Sequence, residues 1–285
     1  MSSGKQASGY LHGFTPEEQD RLFRQARHLE RAVHDRLPLW SCRNLLEVGC
    51  GVGAQTAILL RRFPDLFVTG VDRSPENLAA ARENLESTPW ATQRYELVEA
   101  DGANLPFDAR AHDGAFLCWI LEHVGDPAMV LSETRRCLAP GAPIVVTEVL
   151  NAAFFLEPYS PHTLAYWMAF NDHQLDLGGD PFVGAKLGNL LQRVGFSDVR
   201  TQVKTFHLDN RHPERRDFLR FWTELLLSGA PGLVEAGRVS EATKLYRSAI
   251  KERWAPPENF LQLASYLGRT TDPVGQKEVL SAGLD

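Results

Sequence analysis

The sequence predicts an α/β fold: a mostly parallel sheet of seven strands with helices on both faces, an inserted helical cap and extra C-terminal helices. Three observations carry that expectation. Strand-length apolar runs alternate with helical patterns from residue 44 to residue 149, and such alternation builds a parallel sheet covered on both sides. A glycine-rich turn, "EVGCGVG" (Glu47 to Gly53), joins the first strand to the helix behind it. Acidic residues, Asp72 and Asp101, close the next two strands.

The elements follow in order. Thr15-Pro16-Glu17-Glu18 reads as a helix start, with Thr15 as cap, Pro16 in the first turn and Glu18 completing a capping box. Leu22, Ala26, Leu29 and Val33 then recur at helical spacing, and Pro38 ends the helix. "NLLEV" is the first strand and "AQTAILLRRF" the helix after the glycine turn. "LFVTGVD" is the second strand, followed by "PENLAAARENLE", which opens at Ser74-Pro75 in good helix formers. "RYELVEA" and "DGAFLC" are strands three and four, "DPAMVLSETRRCL" is a helix, and "IVVTEV" is strand five after the turn "APGAP". Beyond Asn151 aromatics and turn residues dominate as far as Phe182. "VGAKLGNLLQRVGF" resumes a helix, and "SDVRTQVKTFHL" (197–208) suits a sixth strand. Helices are expected over 213–253, broken by Pro256-Pro257, with "NFLQLASYLG" (259–268) as a last strand.

Composition narrows the function. Hydrophobic residues make up 44% and charged residues 23% of the 285, as in an ordinary globular core. No apolar run approaches the roughly 18 residues that span a bilayer, and "MSSGKQASGY" lacks a signal peptide's apolar stretch. A cytoplasmic location without a membrane span is expected. The net charge of -6 argues against nucleic acid, because phosphate-binding surfaces are usually basic. The run "ERRDFLR" reads as a solvated helix face. Cys42, Cys50, Cys118 and Cys137 form no CxxC pair, which fits reduced thiols better than disulfides or a zinc site.

The glycine turn carries the chemistry. In an open parallel sheet, ligands bind beyond the carboxyl ends of the strands where strand order reverses. Glycine lets the backbone turn tightly and lets a ligand approach without meeting a Cβ. Gly49-Cys50-Gly51-Val52-Gly53-Ala54 satisfies the dinucleotide spacing GxGxxG/A, so a pyrophosphate ligand and a nicotinamide-dependent oxidoreductase stay open. A tight turn that binds nothing is the plain alternative. Asp72 stands where a carboxylate accepts from both ribose hydroxyls, Ser74 being better suited as helix cap. Asp101, in "EADGANLPF", can accept from an adenine amino group, with Leu105-Pro106-Phe107 flanking the base.

Five blocks in this order, "EVGCGVG", "VDRSPENL", "EADGANLPF", "DGAFLCWILEHVGDP" and "LAPGAPIVVTE", resemble the class I S-adenosylmethionine (SAM)-dependent methyltransferases. The resemblance spans about residues 45–149 and is nearest to the group that includes ubiquinone and menaquinone C-methyltransferases. It implies a Rossmann-like sheet, SAM as cofactor and S-adenosylhomocysteine as product. It implies that Glu47, Gly49 and Gly51 line the methionine end and Asp72 holds the ribose. Arg73 would flank the adenosine, and Asp101 and Gly102 would read the adenine edge. Cys118 and Trp119 would lie beside the sulfonium, and Tyr10, in the lead-in "GYLHGFTPEEQDRL", would close over the amino acid moiety. The chain then divides into an N-terminal helix and cofactor-covering segment (1–40), a SAM-binding core (41–150), a substrate cap (151–183) and the remainder of the fold (184–285), all one domain.

A sulfonium methyl is already activated, so alignment alone contributes on the order of 7–11 kcal/mol. A general base adds about 10²–10⁴-fold in rate. No obvious dyad is present. His123 is a base or a turn histidine, and His173, beside Asn171 and Asp172, is the other candidate base. Glu148, Tyr166, Trp167 and Phe170 are candidate substrate contacts. With Phe154, Phe155 and Tyr159, the three cap aromatics form either an aromatic wall or simply the core beneath the cap. "CWILEH" stands where amino-methylating DNA enzymes carry a D/N-P-P-Y motif. Asp113 begins strand four at the end away from the methyl, so no metal is expected. The expected acceptor is an aromatic or apolar small molecule of secondary metabolism, methylated at O, N or C. A non-catalytic SAM-binding module and a protein or RNA methyltransferase are further alternatives.

Overall fold

The computed structural model describes residues 16–155, 161–209, 211–229, 232, 233 and 236. Among them, 16–152 with 178–204 form one compact unit, and 153–155 and 161–177 with the residues from 205 onward form a second.

The first unit is built on five strands: β1 (Asn44–Val48), β2 (Phe67–Asp72), β3 (Tyr95–Glu99), β4 (Gly114–Cys118) and β5 (Ile144–Thr147). They lie in the order β3-β2-β1-β4-β5, and every pairing is parallel. The chain steps outward from β1 to β3, then crosses back to place β4 on the other side of β1. Strand order therefore reverses between β1 and β4, which puts a binding crevice beyond their carboxyl ends. Leu45, Leu46, Val48, Phe116 and Leu117 are fully buried, as expected where helices cover both faces.

Helix α1 (Pro16–His34) precedes the sheet. Its Leu22, Phe23 and Ala26 pack on Val52, Ala54 and Ile58, at the glycine turn and in helix α2 (Ala54–Arg62). Helix α3 (Pro75–Glu86) starts as the sequence indicates, with Ser74 Oγ accepting from Asn77 N at 3.1 Å. Helix α4 (Pro127–Cys137) is capped by Asp126, which accepts from Met129 N at 3.0 Å. Both follow the arrangement of capping side chain then proline.

The second unit holds α5 (Pro161–Asp176) and α7 (Arg215–Ser228); α6 (Leu187–Arg193) belongs to the first. In the second, Tyr166, Trp167, Ala169, Phe170 and Leu226 form a core.

The expected sixth strand does not form. Residues 199–209 carry no strand pairing, and Val203 is 76% exposed. Alternation along "VRTQV" fits a strand locally, but a strand exists only when a neighbour accepts its ladder. The described sheet thus has five strands rather than seven. Thr15, Tyr10, the expected helical stretch beyond 236 and the strand expected at 259–268 lie outside the described residues. Among the described residues, no helix is long and apolar enough to cross a membrane.

Candidate active site

The turn after β1 is fully left-handed at its glycines, with φ of 78°, 52° and 74° at Gly49, Gly51 and Gly53. A Cβ on Gly49 would fall 2.6 Å from Ile120 Cδ1, so the turn and the segment after β4 are in close contact. At Gly51 a Cβ would meet nothing within 4 Å. That open face is where a ligand can reach the backbone.

Four amides of this turn are already committed. Gly49 N and Cys50 N donate to Val71 O at 2.8 and 3.0 Å, and Gly53 N donates to Cys50 O at 2.9 Å. Gly51 N donates to Asp72 Oδ2 at 2.9 Å, while Ser74 N donates to Asp72 Oδ1 at 2.9 Å. The side chain of Asn77 also bonds Asp72, which leaves part of the roughly four acceptor positions that a carboxylate offers. Burial raises the Asp72 carboxyl above its ordinary value, opposed by the Ser74 and Gly51 amides.

Glu47 lies one residue before the end of β1 and is 2% exposed. Thr56 Oγ1 donates to its Oε2 at 2.6 Å. Burial pushes the Glu47 carboxyl up to about 8, against the Thr56 hydrogen bond, with Asp72 nearby adding to the rise. A cation entering beside it would draw off that proton.

At the tip of β3, Asp101 is exposed, and its Oδ1 accepts from Ala103 N at 2.9 Å. A Cβ on Gly102 would lie 2.9 Å from Val48 Cγ1, so this turn closes against the tip of β1. Arg73 is exposed beside Asp72. The structure thus gathers Glu47, Gly49, Gly51, Asp72, Arg73, Asp101 and Gly102 at the carboxyl ends of β1, β2 and β3.

Beyond β4, Cys118 is buried, and Trp119 adopts a left-handed φ of 56°. A 3₁₀ turn, Leu121–His123, follows. Glu148 accepts from Ile120 N at 3.0 Å and Leu121 N at 2.7 Å through Oε1, and its Oε2 is buried without a hydrogen-bond partner among the described residues. Burial, then the charge of Glu122, pushes the Glu148 carboxyl well above the carboxylate range, against the amides of Leu121, Ile120 and Glu122. His123 lies in this turn, Nε2 3.7 Å from Glu122 Oε1. Burial lowers its pKa, opposed by Glu122, so the imidazole is neutral near pH 7.

Sequence reasoning missed Glu18 and Arg21 of α1. Both are 5% exposed, and Arg21 Nη2 meets Glu18 Oε1 at 2.6 Å. Their charges reach His123, as does that of Arg73. An i, i+3 ion pair ordinarily reads as a solvated helix face, so nothing in the sequence marked it as buried.

The candidate cap residues belong to the second unit. Tyr166, Trp167, Phe170 and His173 are all at least nine-tenths buried within the second unit. Trp167 stacks on Phe170 at 5.3 Å and lies 5.1 Å from Phe154. Tyr166 Oη donates to Leu226 O, and Asn171 Nδ2 donates to Trp167 O at 2.8 Å. Asp113 sits at the opposite, amino-terminal edge of the sheet. It accepts from Arg43 N at 2.9 Å and Asn44 N at 2.9 Å.

A family model described as a methyltransferase domain matches residues 46–146. Trans-aconitate 2-methyltransferase of Methylobacterium radiotolerans is 33% identical over 164 residues, covering 58% of this chain and 58% of that protein. The O-methyltransferase cnsE of Penicillium expansum is 29% identical over 206 residues, covering 69% of this chain and 70% of that protein. The chain therefore spans about three fifths of the length of the first relative. Human N-acetylserotonin methyltransferase, solved with SAM, superposes with a TM-score of 0.51 at 19% identity, covering 66% of this chain and 51% of that one, a likeness of fold. Residues 46–146 thus resemble the methyltransferase-domain family, on a Rossmann-like α/β sheet of five parallel strands.

Proposed function

We propose that this chain transfers the methyl group of SAM to a small molecule by in-line displacement, without a metal. One observation carries the reading. The turn that a dinucleotide would need for its pyrophosphate has Gly49, Cys50, Gly51 and Gly53 amides already committed to protein acceptors. A buried carboxyl, Glu47, and a half-buried one, Asp72, flank the same turn. That arrangement disfavours a diphosphate and suits an ammonium group with a ribose, so the residues fit SAM and not a nicotinamide dinucleotide.

When bound, SAM supplies a methyl group already activated by its sulfonium. The chain's task is then to bind, orient and exclude water. Asp72 accepts from the ribose with the acceptor capacity that the Gly51, Ser74 and Asn77 contacts leave. Glu47 faces the amino acid end and gives up its proton to pair with the ammonium. Asp101 and Gly102 read the adenine edge, Arg73 flanks the adenosine, and Tyr10 closes over the amino acid moiety. Cys118 and Trp119 wall the methyl. Of the two candidate bases, His123 is the one that the reversal point presents, neutral and able to take a proton from the acceptor at a ring nitrogen. His173 and the aromatics Tyr166, Trp167 and Phe170 are buried within the second unit. The name of the Penicillium relative puts oxygen first among O, N and C as the accepting atom.

Titration calorimetry with SAM tests the binding half. Asp72→Ala should weaken affinity at least about tenfold, the equivalent of 1.4 kcal/mol, while Asp65→Ala, at a site whose side chain is 76% exposed, should not. Unchanged affinity in Asp72→Ala rejects the ribose assignment. Mass spectrometry of a panel of small hydroxylated acceptors incubated with methyl-labelled SAM tests the rest. Binding without any labelled product would favour a non-catalytic module, and NADH fluorescence quenching would revive the oxidoreductase.

A further inference from the structure

The end of β5 grips the segment after β4 in three consecutive hydrogen bonds. Trp119 N donates to Thr147 O at 2.9 Å. The next two amides, Ile120 and Leu121, both donate to Glu148 Oε1, at 3.0 and 2.7 Å. The segment so held is strained: Trp119 has φ 56°, a region that costs a bulky side chain of order 1–3 kcal/mol and persists only where its surroundings impose it. Ile120 then fills the space over Gly49, leaving no room for a Cβ there. A contact relay therefore runs from Glu148 through Ile120 to the glycine turn. Glu148 Oε2 is enclosed rather than presented to a ligand, so the side chain acts through what it holds.

We propose that Glu148 is a positioning residue for the cofactor: by accepting from Ile120 and Leu121 it keeps Trp119 and Ile120 closed against Gly49. The proposal rests on the reading that residues 49–51 and 118–119 flank SAM. A charge role and a reach role are separable by substitution. Glu148→Gln keeps an acceptor oxygen at the same reach and removes the ionisable group. Glu148→Asp keeps the ionisable group and falls one methylene short of the two amides.

S-adenosylhomocysteine affinity by calorimetry, alongside Tm, is the measurement. Glu148→Gln should stay within about threefold of wild type, while Glu148→Asp and Glu148→Ala should each weaken binding about tenfold or more, the scale of losing a buried acceptor. The reverse order, Asp near wild type and Gln weakened, overturns the proposal in favour of direct electrostatics. Equal affinity in all three with only Tm lowered overturns it in favour of a purely structural role. Should the shortened variants fail to fold, Ile120→Val, which trims the methyl over Gly49, is read instead: a loss of about threefold supports the relay, and unchanged affinity overturns it. If wild-type protein itself binds no S-adenosylhomocysteine, the cofactor reading falls and takes this proposal with it.

Discussion

Glu47 shows how much one buried side chain can set. Its carboxyl lies near 8 because burial outweighs the Thr56 hydrogen bond. In the unfolded chain it returns to about 4.3. The folded protein therefore holds a proton that the unfolded chain releases between those values. The associated stability is present at low pH and is lost as pH rises through 8. Calorimetric Tm of ligand-free protein should show it: Glu47→Gln should gain on wild type as pH rises from 5 to 8.5. The same variant should bind SAM more weakly, having lost the partner for its ammonium. The glycines and Asp72 were legible from sequence because a glycine's access to positive φ and a strand-end carboxylate are local properties. Arg21, Ile120 and the anchoring role of Glu148 were not, because each is defined by a neighbour distant along the chain.

At the scale of elements, Asp113 ties the entry of β1 to the start of β4 through the amides of Arg43 and Asn44. Asp113→Ala should lower stability by about 1–2 kcal/mol, a Tm loss of roughly 2–4 °C per kcal/mol. SAM affinity should hold, since this edge is opposite the crevice. Trp167 in α5 has the larger structural effect. It is 1% exposed among Phe154, Phe170 and Trp222. Trp167→Ala should cost about 3–5 kcal/mol in the second unit, read as an early, separate thermal transition. Helix starts were readable because caps and prolines act within one turn. The segment 197–208 was misread because alternation is necessary for a strand but does not supply the partner.

For the molecule as a whole, His34 contributes to behaviour in acid. Its ring is 1% exposed and stacks on Phe116 at 5.6 Å. Burial, and then the nearby Arg62, hold its pKa down to about 4, with Glu30 opposing. An unfolded histidine titrates near 6.5. Stability from this group is thus complete above about 6.5 and is lost as pH falls toward 4, on the order of 3 kcal/mol in all. His34→Phe should flatten the acid limb of a Tm-against-pH curve. Glu47 loses its contribution between about 4.3 and 8, so over about 4.3–6.5 the two groups offset one another, and above that Glu47 alone lowers stability as pH rises.

By itself the sequence determined the first five strands, the helices among them, the glycine turn and the carboxylates at the strand tips, since periodicity, capping and φ preference operate over a few residues. Only the tertiary structure decided which charges are buried, that the turn's amides are committed, and that Glu148 holds the segment after β4. Those are matters of desolvation and of partners far apart in the chain, and the order β3-β2-β1-β4-β5 is what brings them together.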